Sequence, residues 1–299
     1  MREIVLDKSY LDGAPTASVR SLCEHFNVLL SEELFFELIT TEARSQKQCF
    51  SKLPDRENPV NLVRNVGFLL RFERERQRGC APLTQHRLPD RYVFNKKLRE
   101  GVFVCEGEVL ENLYAWRTRV DADTKDFVER CTVVHQFFPE LNGIEWKDFP
   151  AAVSQARRKI ATEEDFVREI YASFLDEDAP SDAPSPGVLT PDWAWFRWVQ
   201  CQILAALRIF QKHQGHFPEN LGSEFWCRAE HSMLDVYYVI LGSLAGAIAT
   251  LDTEIREDFL AVRPDAVMLS PGVLEGTGAN PPLNTDARQA GSDRSPCTG

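Results

Sequence analysis

Residues 1–41 read MREIVLDKSYLDGAPTASVRSLCEHFNVLLSEELFFELITT, and the order of apolar and polar positions here decides the fold. Ile4-Val5-Leu6 is a short unbroken apolar run, the pattern of a strand covered on both faces, and Asp7 closes it. Val19, Leu22, Cys23 and Phe26 then recur at helical spacing. Asn27-Val28-Leu29-Leu30 reads as a second strand. Ser31 is a good N-cap, and Glu32 and Glu33 suit the first turn of a helix running to about Thr41. Strand, helix, strand, helix at these lengths predicts a parallel sheet with right-handed crossovers.

The same grammar returns late in the chain. It predicts a helix from 223 to about 241, a strand over 246–251 closed by Asp252, a helix over 253–262 and a last strand over 266–269. Between the two ends the reading is mainly helical, with helices over 59–78, 110–138, 149–161, 163–175 and 193–213. The stretch 176–190, DEDAPSDAPSPGVLT, reads as a loop or linker. The expected organisation is an α/β domain in two halves, 1–79 and 223–269, around a helical insertion, 80–222. The tail, 270–299, has five Gly, four Pro and no aromatic residue, and is expected to be disordered.

Composition narrows the function classes. Apolar residues make up 43% of the 299, with nineteen Phe and six Trp, so the chain can fill a large core. Charges occupy the N-terminal positions where a secretory leader would be apolar, so no leader is expected. The longest quiet run, 236–251, is 16 residues, short of the ~20 a membrane helix needs, and reads as buried core; no membrane partner is expected. The eight cysteines are too far apart for a zinc motif and suit reduced thiols in a cytoplasmic protein. A net charge of −11 excludes an indiscriminate nucleic-acid binder. Residues 41–100 nevertheless hold 14 Lys and Arg against 7 Asp and Glu. Arg64, Arg71, Arg74, Arg76, Arg78, Lys96 and Lys97 are the RNA-contacting candidates in this strip, whose plain alternative is a solvated helix face.

Four acids stand out by position. Asp7 and Asp252 close strands, where open parallel sheets collect their functional groups. Glu37 sits on the helix after the second strand, and Asp235 interrupts an apolar helix. Each has a structural reading too. Asp7 suits a turn with Lys8 and Ser9, Asp252 suits a helix cap, and Glu37 suits a solvated position with Glu33 as its rival. Asp235 has His231, Ser232, Tyr238 and Val239 three and four residues away and no Lys or Arg. His231 or a tyrosine hydroxyl is its structural partner, and a metal its functional one.

The stretches IVLDKSYLDG (4–13), VLLSEELFFEL (28–38) and MLDVYYVILGSLAGAIATLD (233–252) resemble the acidic motifs of PIN-domain nucleases. That resemblance implies a PIN-like α/β fold and hydrolysis of RNA phosphodiesters with Mg²⁺ or Mn²⁺. By position it implies Asp7, Glu37, Asp235 and Asp252 as metal-holding and catalytic residues, Glu33 replacing Glu37 in a second assignment, and Thr250 in support. It covers about 1–42 and 225–269, and leaves about 80–222 without a counterpart. Implied partners are an RNA substrate and a protein inhibitor or regulator; the oligomeric state is left open. The second function carried forward is a catalytically inactive PIN-like module that binds a protein or RNA. Other classes fall away: Ser9 stands where a haloacid-dehalogenase-type phosphatase needs a second Asp, and neither G-x-G-x-x-G nor G-x-S-x-G occurs.

Overall fold

In a computed structural model, residues 1–88, 91–145, 147–175, 182–215, 217 and 221–269 are described. Five short strands form one sheet: β1 (Glu3–Leu6), β2 (Asn27–Ser31), β3 (Asn61–Val63), β4 (Ala247–Ala249) and β5 (Val267–Leu269). Their order is β3-β2-β1-β4-β5, and every pairing is parallel. The sequence thus predicts the parallel α/β class correctly. The expected tail over 270–299, and the loop up to 181, lie outside the described residues.

The first connections are α1 (Lys8–Gly13), α2 (Thr16–His25), α3 (Glu32–Thr40) and α4 (Ala43–Lys52). Ser31 caps α3 as its sequence suggests, its hydroxyl accepting from Leu34 N at 3.2 Å. Residues 59–78 are not one helix. They divide into β3 and α5 (Val66–Arg76), because Asn61, Leu62 and Val63 pair with β2 while the Asn65 side chain accepts from Phe68 N at 2.7 Å and starts a new helix. Two carboxylates of α3 secure that start: Glu32 accepts from Asn65 N (3.0 Å) and Glu33 from Val66 N (3.1 Å).

After α6 (Lys96–Glu100) come the long helices α7 (Gly107–Val133), α8 (Phe149–Thr162), α9 (Glu164–Phe174) and α10 (Ala194–Lys212). Next are α11 (Ser223–Ala245) and α12 (Thr253–Val262). Helix α10 is buried along most of its length and packs on α5, α7, α8, α9, α11 and α12. One apolar core runs from Ile4 to Leu269, so the middle helices and the sheet share a single interior.

Two devices join the layers. Glu73 of α5, fully buried, accepts from Cys80 N (2.9 Å), Ala194 N (2.6 Å) and Trp195 N (3.0 Å), closing the N-terminus of α10. Gly246, at φ 72°, ends α11 in the left-handed region and turns the chain directly into β4. That turn carries the residues after β4 to the end of β1.

Candidate carboxylate site at the strand ends

The register of β1 and β4 builds the site. Leu6 pairs with Ala249, so the next residues, Asp7 and Thr250, emerge side by side. The Asp7 N–H extends the ladder, donating to Ala249 O at 3.1 Å. From β1 the chain reaches β2 on one side and, much later, β4 on the other; the carboxyl ends between β1 and β4 are therefore a topological switch point.

Asp7 is buried and does not cap α1 with its side chain. Its Oδ2 accepts from Thr250 Oγ1 at 2.7 Å and from Ser9 Oγ. With both hydroxyl protons directed at Asp7, the hydroxyl oxygens act as acceptors. Ser9 Oγ takes the N–H groups of Leu251 (2.9 Å) and Asp252 (3.1 Å), and Thr250 Oγ1 takes Asp252 N (3.0 Å). Asp7, Ser9 and the turn after β4 are thereby one hydrogen-bonded unit. Burial pushes the Asp7 carboxyl up to about 6. The two hydroxyls lower it, and the negative charges of Glu37 and Asp252 raise it further.

Asp252 caps α12, its Oδ1 accepting from Glu254 N (2.8 Å) and Ile255 N (3.1 Å). Its structural reading and its place beside Asp7 hold together. Glu37 is not solvated: its side chain is 12% exposed, its Oε1 lies 3.7 Å from Lys8 Nζ, and its Oε2 accepts from the Tyr238 hydroxyl. Burial, with the charges of Glu37 and Asp7 added, holds the Tyr238 phenol well above its ordinary range, so it stays a donor. Asp235 is half-buried on α11, one turn before Tyr238. The Tyr238 hydroxyl, a structural partner for Asp235 on spacing alone, goes to Glu37.

Glu37 and Asp252 are thus each close enough to act electrostatically on Asp7, and Glu33 is set apart by its work at α5. Burial pushes the Glu33 carboxyl up to about 7, and its Oε2 is enclosed without a hydrogen-bond partner. Among the described residues no group of three or more His, Cys, Asp or Glu stands at metal-holding distances. No helix among them is long and apolar enough to cross a membrane.

Within the basic strip, Arg64 pairs with Glu32 (3.6 Å) and covers the Phe68 ring, and Arg74 pairs with Asp182 (3.2 Å). Arg78 covers the Phe72 ring, and it is exposed with Arg71, Arg76, Lys96 and Lys97. His86 is buried between Phe68 and Phe72, with Nε2 2.8 Å from Cys80 O, and so is a core histidine and not a surface one.

Sequence reasoning missed Lys8 and Tyr238 as partners of Glu37, because their contacts join residues up to 201 positions apart. Ser9 carried a faint signal, a hydroxyl two residues after a strand-closing acid. Compared with known proteins, the chain matches no family model, no curated protein and no solved structure.

Proposed function

We propose that the chain is a PIN-like, divalent-metal-dependent endoribonuclease whose reaction centre lies at the carboxyl ends of β1 and β4. The observation that carries this reading is Asp7: a buried carboxylate at the switch point, oriented by two hydroxyls, with the charges of Glu37 and Asp252 bearing on it. Glu37 and Asp252 both add negative charge at the buried Asp7 carboxylate, which a divalent cation would offset. The donor set is all carboxylate oxygen, the chemistry Mg²⁺ or Mn²⁺ prefers.

Asp7, Glu37, Asp235 and Asp252 would hold the cation, which requires them to draw closer together than they stand in the protein alone. When bound, it lowers the pKa of a water and stabilises charge on the phosphate. Ser9 and Thr250 fix the Asp7 carboxylate so that it needs no reorientation. Lys8 balances Glu37 in the protein alone. With its side chain 35% exposed, it can leave for solvent at little cost, freeing Glu37 Oε1. Above pH about 6 Asp7 is ionised and competent as a ligand; below it, protonation removes the ligand. The exposed members of the basic strip would draw an anionic strand to an otherwise acidic protein. Six described cysteines, Cys23, Cys49, Cys80, Cys105, Cys131 and Cys201, are free thiols, as a cytoplasmic setting would keep them, whereas Cys227 is disulfide-bonded, which that setting does not favour.

A second reading, a PIN-like module that binds a protein or RNA without cleaving it, draws on a different observation. The protein already supplies partners to these acids, through the Asp252 cap, the Lys8 and Tyr238 contacts to Glu37, and the two hydroxyls on Asp7. Cleavage of unstructured RNA separates the two readings. The nuclease reading expects cleavage with Mg²⁺ or Mn²⁺, none with EDTA, and a loss of orders of magnitude in Asp7→Asn with unchanged circular dichroism. Absence of cleavage with both metals, in protein free of copurifying inhibitor, would leave the binding module.

A further inference from the structure

A cleft of about 340 Å³ opens beside the carboxylates and shares Lys8 and Glu37 with them. Three helices wall it: Thr41 ends α3, Leu113, Tyr114 and Trp116 come from the first turns of α7, and Leu234 comes from α11. Trp116 is 7% exposed and stacks on Phe36, with ring centres 5.4 Å apart and 21° between planes, so that wall is fixed. Tyr114 is 65% exposed and offers an aromatic face at the mouth. The middle of the chain thus contributes directly to the surroundings of the carboxylate site.

We infer that this cleft receives an unpaired base of a single-stranded RNA whose backbone runs to the carboxylates. The inference rests on the nuclease reading of that site. Size and chemistry select the occupant. Small-molecule pockets span ~300–1,000 Å³, so this one suits a single planar heterocycle with its sugar and is too small for a helix or a folded loop of a partner. Charges around it balance: Lys8 faces Glu37, and Arg117 is locked to Glu230 by two hydrogen bonds of 2.7 and 2.8 Å. A paired arginine gives a phosphate little to hold, so the cleft favours the uncharged base over the backbone. Leu113, Trp116 and Leu234 give apolar surface, Tyr114 a stacking face, and Thr41 and His231 polar atoms for a base edge. A base inside a duplex is already stacked and paired, so only an unpaired strand can use the cleft.

The test is binding of a short fluorescein-labelled unstructured RNA to the full chain in EDTA, where cleavage is suppressed, with the same sequence as a duplex for comparison. Tyr114→Ala should weaken single-strand binding by roughly five- to hundredfold, the range for loss of one base stack. Its exposure lets the truncation leave the melting temperature unchanged. Thr41→Trp, which fills the cleft, should weaken single-strand binding by a similar factor. Duplex binding should respond to neither. If the wild type binds no single strand, or if both folded variants bind it as the wild type does, the inference is overturned. Cleavage that needs Asp7, with binding indifferent to Tyr114 and Thr41, would remove the base cleft and keep the nuclease. Tyr114-dependent binding without metal-dependent cleavage would keep the cleft and remove the nuclease.

Discussion

At the scale of single residues, Asp7 concentrates the tension in the fold. Burial raises its carboxyl from an ordinary value of 3.8 to about 6, a change that corresponds to roughly 3 kcal/mol. The folded state therefore binds the Asp7 proton more tightly than the unfolded chain does. Its contribution to stability is fully present below about pH 4, falls as pH rises through about 6, and stays as a constant penalty above that. Asp7→Asn removes the titration, so in EDTA the variant should gain stability relative to the wild type as pH rises from 4 to 7. Urea unfolding across that range checks it; a difference independent of pH would show that Asp7 does not titrate there. Ser9 and Thr250 act in the opposite direction, lowering the Asp7 carboxyl through hydrogen bonds. Ser9→Ala should therefore move the midpoint of the Asp7 titration, followed by carboxyl-carbon NMR, above that of the wild type. An unmoved midpoint would mean that the Ser9 bond does not favour the charged form.

At the scale of elements, side chains reaching between helices do work that backbone hydrogen bonds do not. Glu73 accepts three N–H groups from Cys80, Ala194 and Trp195, two of them opening α10. Glu73→Ala leaves those donors without acceptors in a buried place, and each such loss costs ~1–3 kcal/mol. A fall of about 3 kcal/mol or more in urea-derived stability is expected, and a fall below ~1 kcal/mol would show that α10 is closed by other means. Such long-range acceptors leave no mark in a local pattern, which is why Glu73 reads from sequence as one more charge in RFERERQR. What sequence reveals well is local: the unbroken run before Asp7, the Ser31 cap, and the α12 bounds set by Asp252 and Val262. It fails at β3, whose three residues pair with β2 and make no period of their own, and at α4, a polar helix held by its few buried positions. For the site, strand ends make Asp7 and Asp252 readable, whereas the Lys8 contact to Glu37 exists only after α1 meets α3, and the Tyr238 contact only after α11 reaches α3.

At the scale of the whole molecule, the late part of the chain completes what the early part begins. β4 enters beside β1, and α11 brings Tyr238 to Glu37, so the proposed site forms only when residues near both ends of the described chain meet. One core links this sheet to the middle helices, so loss of the α10 closure at Glu73 should also lower the melting temperature of the site-bearing sheet in the same transition. The proposed site requires Asp7 and its acidic neighbours to share a divalent cation. The most direct measurement is thermal melting of the wild type and Asp7→Asn, each with EDTA and with Mn²⁺. A cation held in the native state stabilises by RT ln(1 + [L]/Kd), about 2.7 kcal/mol at a hundredfold excess over Kd. Mn²⁺ should raise the melting temperature of the wild type, and Asp7→Asn, at least as stable in EDTA at pH 7, should lose most of that rise. Equal Mn²⁺ shifts in the two proteins, or no shift in the wild type at millimolar Mn²⁺, would contradict a shared cation.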